Sequence, residues 1–159
     1  MGTLTYHKKK DQLEYSRITP QIYIGTNQCC QTHFAEELLG RGVRADLSLE
    51  EKRLDAPFGV KYYLWLPTKD HSPPSPRQLE VGIAFINKII GLGEKIYVHC
   101  KNGHGRAPTL VAAYFIVHRN MTPTEAFRFI KKRRRSIHLR QSQKKALQKF
   151  YRKTRGLNY

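Results

Sequence analysis

Cys100 and Arg106 are the two residues whose types and spacing most directly suggest chemistry. Five residues, two of them glycine, separate the thiol of Cys100 from the guanidinium of Arg106. An apolar, strand-like run at 95–98 precedes this stretch, and an apolar, helix-like run at 109–118 follows it. Because the N–H groups of such a loop converge and the next helix adds the positive end of its dipole, the stretch predicts an anion-binding cradle.

The cradle suggests a separate task for each of the two residues. The planar guanidinium of Arg106 can hold two phosphate oxygens at once. Because N–H dipoles and cations around a sulfur favour its thiolate form, we expect Cys100 to be a nucleophile at neutral pH. The alternative is a buried structural thiol, which is the commoner fate of a single cysteine. The combination of a preceding histidine, glycines and an arginine at this spacing favours the nucleophile.

The charge of the chain indicates anionic partners without identifying them. The 159 residues include 29 Lys and Arg against 12 Asp and Glu, a net charge of +17. Such a field attracts nucleic acid, anionic membranes and phosphorylated substrates alike. The basic run at 131–135 fits weak association with an anionic membrane surface. It fits better the exposed end of a helix, where cations complement the dipole. We find no specific nucleic-acid-binding module.

Three cysteines, Cys29, Cys30 and Cys100, are too few for a secreted disulfide framework, so we expect a reducing compartment. The polar N-terminus does not resemble a secretory signal, and the longest apolar run, 110–117, is too short to span a membrane. These features predict a soluble, cytoplasmic protein. Either Cys29 or Cys30 could protect an oxidised Cys100 as a partner thiol, although two ordinary cysteines are the favoured interpretation. We find no metal-ligand cluster at a useful spacing and expect no metal or other cofactor.

Strand-like and helix-like segments alternate along the chain, which predicts an α/β fold with a mostly parallel sheet of four to five strands flanked by helices. We expect strands at 18–25, 43–49, 60–66 and 95–98, and helices at 32–39, 76–90, 106–119, from 123 and at 142–152. Capping boxes mark two of the helix starts, Ser75 with Gln78 and Thr122 with Glu125. The second helix should bury Val81, Phe85, Ile86, Ile89 and Ile90. We divide the chain into a basic arm, 1–17, a single catalytic domain, 18–155, and a short tail, 156–159.

The motif His99-Cys100-x5-Arg106 resembles the signature loop of the cysteine-dependent protein tyrosine phosphatases, and the compact chain is similar to the dual-specificity phosphatases over about 18–152. The resemblance implies that Cys100 attacks phosphorus to form a phosphocysteine, which water then hydrolyses. His99 would orient and tune the cysteine. The phosphate-binding residues would be Lys101, Asn102, Gly103, His104, Gly105 and Arg106, whose N–H groups and guanidinium make a metal unnecessary.

The resemblance also implies a general acid, an aspartate about thirty residues before the cysteine. Asp70 matches, because it lies on a proline-rich loop after the strand at 60–66. A solvated loop aspartate is the alternative interpretation. Asp46 and Asp55 lie much further upstream and suit the role less, and His71 is a weak second candidate.

Two positions near the loop bear on rate and on substrate. Most relatives have Ser or Thr directly after the arginine, whereas this chain has Ala107, with Thr109 two places late. This departure predicts that the phosphocysteine is hydrolysed slowly relative to its formation. Relatives that act on inositol phospholipids or phosphatidylglycerophosphate often carry basic residues at the positions of Lys101 and His104. Lys101 matches, and His104 matches only when it is protonated.

The leading interpretation is therefore a dual-specificity-type phosphatase of phosphoproteins that acts on phosphotyrosine, with phosphoserine and phosphothreonine as further candidate substrates. A phosphatase for phosphoinositides or another anionic phospholipid is the first alternative. A catalytically weak phosphate-binding module is the second. The presence of Cys100, Arg106 and Asp70 argues against a binding module, whereas Ala107 argues slightly for it.

Overall fold

The computed structural model describes residues 12–157, and their strands form one mixed sheet. Five strands are found in this part of the chain: β1 (Tyr15–Arg17), β2 (Ile22–Gly25), β3 (Val43–Ser48), β4 (Tyr62–Trp65) and β5 (Lys95–His99). They lie in the order β1-β2-β5-β3-β4, with β1 antiparallel to β2 and every other neighbouring pair parallel. The predicted α/β fold with a mostly parallel sheet is confirmed.

Helices cover both faces of the sheet. Within residues 12–157 they are α1 (Gln31–Glu37), α2 (Pro76–Gly91), α3 (Arg106–His118), α4 (Pro123–Arg133) and α5 (Gln141–Thr154), with a short 3-10 helix at Leu39–Arg41. On one face, α3 packs against the sheet and contacts α2, α4 and α5. On the other face, α1 packs through Phe34 into a smaller apolar cluster with Tyr23 and Tyr97.

The central strand and the central helix position the predicted cradle. Ile96, Tyr97 and Val98 of β5 are fully buried, as expected for a strand with parallel neighbours on both sides. Helix α3 is buried along almost its whole length, in agreement with its apolar residues on every face. The loop between them lies at the carboxyl end of β5, the edge at which α/β sheets place their ligands.

Both predicted capping boxes are present. The hydroxyl of Ser75 accepts a hydrogen bond from the Gln78 backbone N–H at 3.1 Å, and the Gln78 side chain accepts one from the Ser75 N–H at 2.9 Å. Thr122 and Glu125 make the same pair of bonds at 3.2 and 2.8 Å. Pro76 and Pro123 follow the caps directly, where a missing N–H costs no hydrogen bond. These local signals therefore fix where α2 and α4 begin.

The buried face of α2 differs from the prediction at Val81, which is 50% exposed, and the predicted Phe85 and Ile90 are only partly buried. Leu79 and Ile83 are buried instead, together with the predicted Ile86 and Ile89. The reason is a close approach to α3 at Gly82, where an added Cβ would lie 2.7 Å from a methyl carbon of Leu110. Gly82 lies in this contact between α2 and α3, and Val81, one residue before it, faces solvent.

The N-terminal boundary also differs from the prediction. Residues 1–11 of the predicted arm lie outside the described residues, but Tyr15–Arg17 is a strand that pairs with Tyr23–Gly25. The strand expected from residue 18 begins only at Ile22, because 18–21 form a turn. In this turn the hydroxyl of Thr19 accepts a hydrogen bond from the Ile22 N–H at 2.9 Å. None of the helices in the described chain combines the length and apolarity that a bilayer crossing demands.

Candidate active site

The loop that follows β5 turns sharply at Gly103. This residue has a φ of +66°, and an added Cβ would lie 2.6 Å from the carbonyl oxygen of Gly25 at the end of β2. Only glycine fits both the left-handed backbone and the close approach. The turn returns the chain to the start of α3, so that Cys100, itself 2% exposed, lies between the end of β5 and the first residue of the helix, Arg106.

A cavity of about 60 Å³ opens at this loop. It is lined by Cys100, Asn102, His104, Gly105 and Arg106 of the loop and helix start, and by Asp70, His71, His138, Arg140 and Gln143 from elsewhere. The structure thus brings together the predicted nucleophile, arginine and general acid. Lys101 and Gly103 are absent from this lining, and the Lys101 side chain is exposed.

Two backbone carbonyls hold the guanidinium of Arg106, which is 2% exposed. Its Nη1 donates to the carbonyl oxygen of Thr68 at 2.9 Å and to that of Leu49 at 3.4 Å. The carboxylate of Glu50 lies 3.7 Å from the same nitrogen, and Asp70 lies 3.3 Å from Nη2. The loops after β3 and β4 therefore fix the Arg106 guanidinium before a ligand binds. Such preorganisation is the condition for effective electrostatic stabilisation.

The Asp70 carboxylate is half exposed and faces the cavity. Its Oδ1 accepts a hydrogen bond from the His71 backbone N–H at 2.9 Å. His71 has a φ of +64°, a left-handed conformation that is uncommon outside glycine and that clusters at functional sites. The strained turn directs the carboxylate toward Arg106. In this position Asp70 could pass a proton to the leaving group of a bound substrate.

Helix α5 holds the Asp70 loop in place. Arg140, just before the helix, donates from Nε to Nδ1 of His71 at 3.2 Å, and the Ser142 hydroxyl donates to the His71 carbonyl at 3.1 Å. Gln143, 1% exposed, donates to the Ser72 carbonyl at 3.2 Å and also packs on Gly105, where an added Cβ would lie 2.9 Å from its amide. Gln143 thus contacts both the loop that carries Asp70 and the loop that carries Cys100. Nothing in its local sequence indicates this role.

His99 sits in a buried polar network behind the loop. Its Nε2 lies 2.9 Å from Oδ1 of Asp46, and its Nδ1 lies 3.1 Å from Oδ1 of Asn27. The Asn27 amide donates to Glu50 at 3.1 Å, which fixes the orientation in which its oxygen faces the ring. Both ring nitrogens therefore face acceptors, so each must carry a proton and His99 is an imidazolium.

Electrostatics support the same charge state. Burial lowers the pKa of His99, but the carboxylate of Asp46, followed by those of Asp55 and Glu50, raises that pKa above its ordinary value. Asp46 and Asp55, the two aspartates judged less suited to proton donation, lie buried beside this ring. His99 thus places a fixed positive charge at the end of β5, one residue before Cys100.

Arg134 buttresses the cysteine loop from behind, which corrects the interpretation of the run 131–135 as an exposed helix end. It is 2% exposed, and it donates from Nε to the Gly103 carbonyl at 2.9 Å and from Nη2 to the Asn102 carbonyl at 3.0 Å. These two bonds fix the middle of the cysteine loop from the side of α4. Lys132, Arg133 and Arg135 of the run are exposed as predicted.

His104 does not supply a second cation at the cavity. Burial lowers the pKa of its imidazole, and the positive charge of Arg134 and the nearby His138 lower it further. The ring packs against His138 with centroids 5.2 Å apart. His104 is therefore neutral near pH 7, and Lys101 alone carries the charge pattern expected of phospholipid-hydrolysing relatives.

The departure at Ala107 is not compensated nearby. Ala107 is fully buried in the first turn of α3. The hydroxyl of Thr109, the nearest candidate substitute, donates to the Gly105 carbonyl at 2.7 Å and is also buried. Its proton is committed to the helix backbone, so the hydroxyl that most relatives place after the arginine has no replacement at Thr109.

Comparison with known proteins finds phosphatases as relatives of this chain. The family described as "Dual specificity phosphatase, catalytic domain" matches residues 22–153. The Arabidopsis thaliana protein "Phosphatidylglycerophosphate phosphatase PTPMT2" is 38% identical over 91 residues, which are 57% of this chain and 40% of that protein. The Homo sapiens protein "Phosphatidylglycerophosphatase and protein-tyrosine phosphatase 1" is 42% identical over 78 residues, 49% of this chain and 39% of that protein. The chain therefore spans about two-fifths of the length of these curated relatives.

Solved structures agree over a longer stretch. The crystal structure of PTPMT1 has a TM-score of 0.79 and 30% identity, and the match covers 90% of this chain and 97% of that one. A crystal structure of PTPMT1 in complex with PI(5)P also has a TM-score of 0.79, at 28% identity, over 89% of this chain and 97% of that one.

Proposed function

Because the chain belongs to the dual-specificity phosphatase family, within the cysteine-dependent protein tyrosine phosphatases, we propose that it hydrolyses phosphate monoesters through a phosphocysteine intermediate. The family resemblance carried by the cysteine loop is confirmed by the match over residues 22–153. The observation that carries the proposal is that Cys100, Arg106 and Asp70 line one small cavity.

In the first step the Cys100 sulfur attacks phosphorus, an S–P bond forms, and the ester P–O bond breaks. Arg106 and the loop N–H groups hold the remaining phosphate oxygens as charge develops on them. Asp70 gives its proton to the departing oxygen. His99 and Arg134 act earlier, because their buried hydrogen bonds hold the cysteine loop in place before a substrate binds.

In the second step a water molecule attacks the phosphocysteine, the S–P bond breaks, and inorganic phosphate leaves. The Asp70 carboxylate takes the proton from that water and returns to its acid form. The sulfur leaves as a thiolate, with no hydroxyl at position 107 to stabilise it. This step is the slower of the two.

For the substrate class, we favour the phosphomonoester headgroup of an anionic phospholipid, with phosphotyrosine in proteins as the second candidate. The names of the relatives at 38–42% identity support the lipid, and so does Lys101. Because His104 is neutral, it adds no positive charge for a second anionic group on the substrate. We therefore place the phospholipid ahead of the phosphoprotein that the sequence alone favoured.

A basic face of α5 also supports a lipid substrate. The helix sequence contains no Asp or Glu, and an open groove on its surface is lined by Lys144, Lys145, Lys149, Arg152 and Lys153. The helix starts directly after Arg140, which lines the catalytic cavity. A cationic surface next to the cavity mouth attracts an anionic bilayer, at about 1 kcal/mol for each Lys or Arg that comes close to it.

Two measurements test the proposal in order. Hydrolysis of an activated aryl phosphate should be abolished in Cys100→Ser and retained in Val117→Ser, a serine substitution at an exposed position outside the cavity. A wild-type chain without activity would overturn the enzyme proposal. A panel of phosphatidylglycerophosphate, phosphoinositides and phosphotyrosine peptides then compares kcat/KM. A higher kcat/KM for the peptides than for every lipid would overturn the preference for phospholipid while leaving the reaction intact.

A further inference from the structure

Three donor groups gather at the start of α1, two residues after Asn27 in the chain. They are the thiols of Cys29 and Cys30 and the imidazole of His33, whose ligand atoms all lie within 4.8 Å of one another and which are partly buried. Among the described residues, this group of His, Cys, Asp and Glu side chains is the one that could hold an ion. We propose that Cys29, Cys30 and His33 form a binding site for a thiophilic divalent metal, with zinc as the expected ion.

Two of the three distances between the donors are close to those of a tetrahedral zinc site, and the third is at most 4.8 Å. Zn–S bonds of about 2.3 Å place two sulfurs on one ion roughly 3.8 Å apart. The two sulfurs here are 3.9 Å apart. A sulfur and an imidazole nitrogen on the same ion lie roughly 3.5 Å apart, and Cys29 Sγ is 3.0 Å from Nδ1 of His33. The ion would replace this direct contact, at the cost of about half an ångström of movement by the ring.

Local backbone structure explains why residues so near in sequence converge. Cys30 is the N-cap of α1, and its sulfur accepts a hydrogen bond from the His33 N–H at 3.4 Å. The cap thus places the His33 side chain above the Cys30 sulfur, on the first turn. The Cys29 sulfur lies 3.9 Å from the Cys30 sulfur, so all three side chains meet at this first turn.

The chemistry of the donors selects the metal. Two thiolates and one imidazole suit zinc, whereas calcium and magnesium prefer oxygen ligands. Three protein ligands leave one position of the tetrahedron for water or another small ligand.

The site would be coupled to the catalytic loop through Asn27. The Asn27 backbone donates to the Lys101 carbonyl at 3.3 Å, and its side chain contacts His99 at 3.1 Å. The neighbouring Gln28 N–H donates to Asp55 at 2.8 Å. An ion held by Cys29 therefore anchors the segment that closes the His99 network, so metal binding stabilises the fold as well as the site.

The test uses the full chain carrying Cys100→Ser, because the active-site thiol would itself bind a soft metal. Cobalt titrated into this protein should give sulfur-to-cobalt charge-transfer absorption, and zinc should compete it away at one ion per chain. Cys29→Ser, Cys30→Ser and His33→Ala should each weaken zinc binding by at least about tenfold, whereas His118→Ala, an exposed histidine on α3, should not. Saturating zinc should raise Tm by roughly 5–10 °C at a hundred times its Kd.

A second measurement avoids substitution within the cluster. In the same Cys100→Ser chain, zinc should protect Cys29 and Cys30 from alkylation, as followed by mass spectrometry of the peptide that contains them. Absence of charge-transfer absorption would overturn the proposal. Equal alkylation with and without zinc, or binding that survives loss of both thiols, would do the same. Because Cys100→Ser is inactive by design, these results do not depend on the proposed phosphatase activity.

Discussion

Replacing Asp46 by asparagine removes the carboxylate that faces His99 and leaves an amide oxygen of similar size in its place. Asp46 and His99 are each 1% exposed, and their contact is 2.9 Å long. The ring can keep its hydrogen bond to the new oxygen but loses the nearest negative charge. Asp55, at 4.0 Å from Nδ1, and Glu50, through Asn27, remain as the other carboxylates facing the ring.

The expected cost follows from the burial of the pair. Breaking a buried ion pair costs about 3–5 kcal/mol, and a hydrogen bond to a charged group contributes about 1.5–3 kcal/mol. Because the amide keeps an acceptor in place and Asp55 keeps a charge nearby, we expect Asp46→Asn to lower the free energy of unfolding by about 2–3 kcal/mol at pH 6. For a chain of this size that is a fall in Tm of roughly 4–12 °C.

The pH dependence identifies the cause. The pKa of His99 is raised in the folded protein, above the value of about 6.5 expected when unfolded. Its contribution is therefore complete below about pH 6.5 and is lost as pH rises through the folded pKa. The stability difference between wild type and Asp46→Asn should be largest near pH 6 and shrink toward pH 9.

Urea unfolding followed by circular dichroism between pH 6 and 9 measures this difference. Glu80→Gln is the control, because it removes a carboxylate from an exposed pair with Lys153 and should change stability little at any pH. If Asp46→Asn and wild type lose stability in parallel over this range, His99 is not charged and the assignment of an imidazolium is wrong.

Three further predictions concern activity and membrane binding. Asp70→Asn should slow alkyl phosphates by about 10²-fold or more and activated aryl phosphates much less, as measured by steady-state kinetics; equal slowing would exclude Asp70 as the general acid. Wild type should release its leaving group in a rapid burst, and Ala107→Ser should diminish that burst and raise kcat by about tenfold or more, as seen by rapid mixing. No burst in wild type would contradict a slow second step. Replacing Lys145 and Lys149 together by Glu should weaken cosedimentation with anionic vesicles by at least about 30-fold.

The features that sequence predicted well are those with local causes. The cysteine loop is recognisable in the sequence because its thiol, glycines and arginine must follow one another closely to surround one anion. The caps at Ser75 and Thr122 depend on residues three positions apart. Helix α3 is apolar on every side because it is covered on every side.

The features that sequence missed depend on tertiary contacts. Strand β1 has three residues, two of them polar, and forms only because β2 pairs with it. Arg134 looks like its exposed neighbours in the run 131–135, and only the fold places it against the carbonyls of Asn102 and Gly103. The cluster of Cys29, Cys30 and His33 escaped notice because adjacent cysteines rarely suggest a shared ligand until the backbone is seen to bring their sulfurs together.

The size of the cavity decides where substrate preference must arise. At about 60 Å³ it holds a phosphate group and little more, so it gives no means to distinguish a lipid from a peptide. Preference must come from the surface around the mouth, where Arg140 leads into α5. Within the described chain, Lys145 and Lys149 of this helix have no carboxylate within 4.0 Å, so their charge is available to a bilayer.

Reversing these two charges should therefore separate binding from chemistry. Lys145 and Lys149 lie outside the catalytic cavity, so hydrolysis of a soluble aryl phosphate should be unchanged while hydrolysis in anionic vesicles falls. Lys61 and Lys88, before β4 and near the end of α2, provide a double variant with the same change in net charge at the opposite edge of the sheet. An equal loss of vesicle hydrolysis in both double variants would show that net charge, rather than the position of α5 beside the cavity, governs access to the lipid.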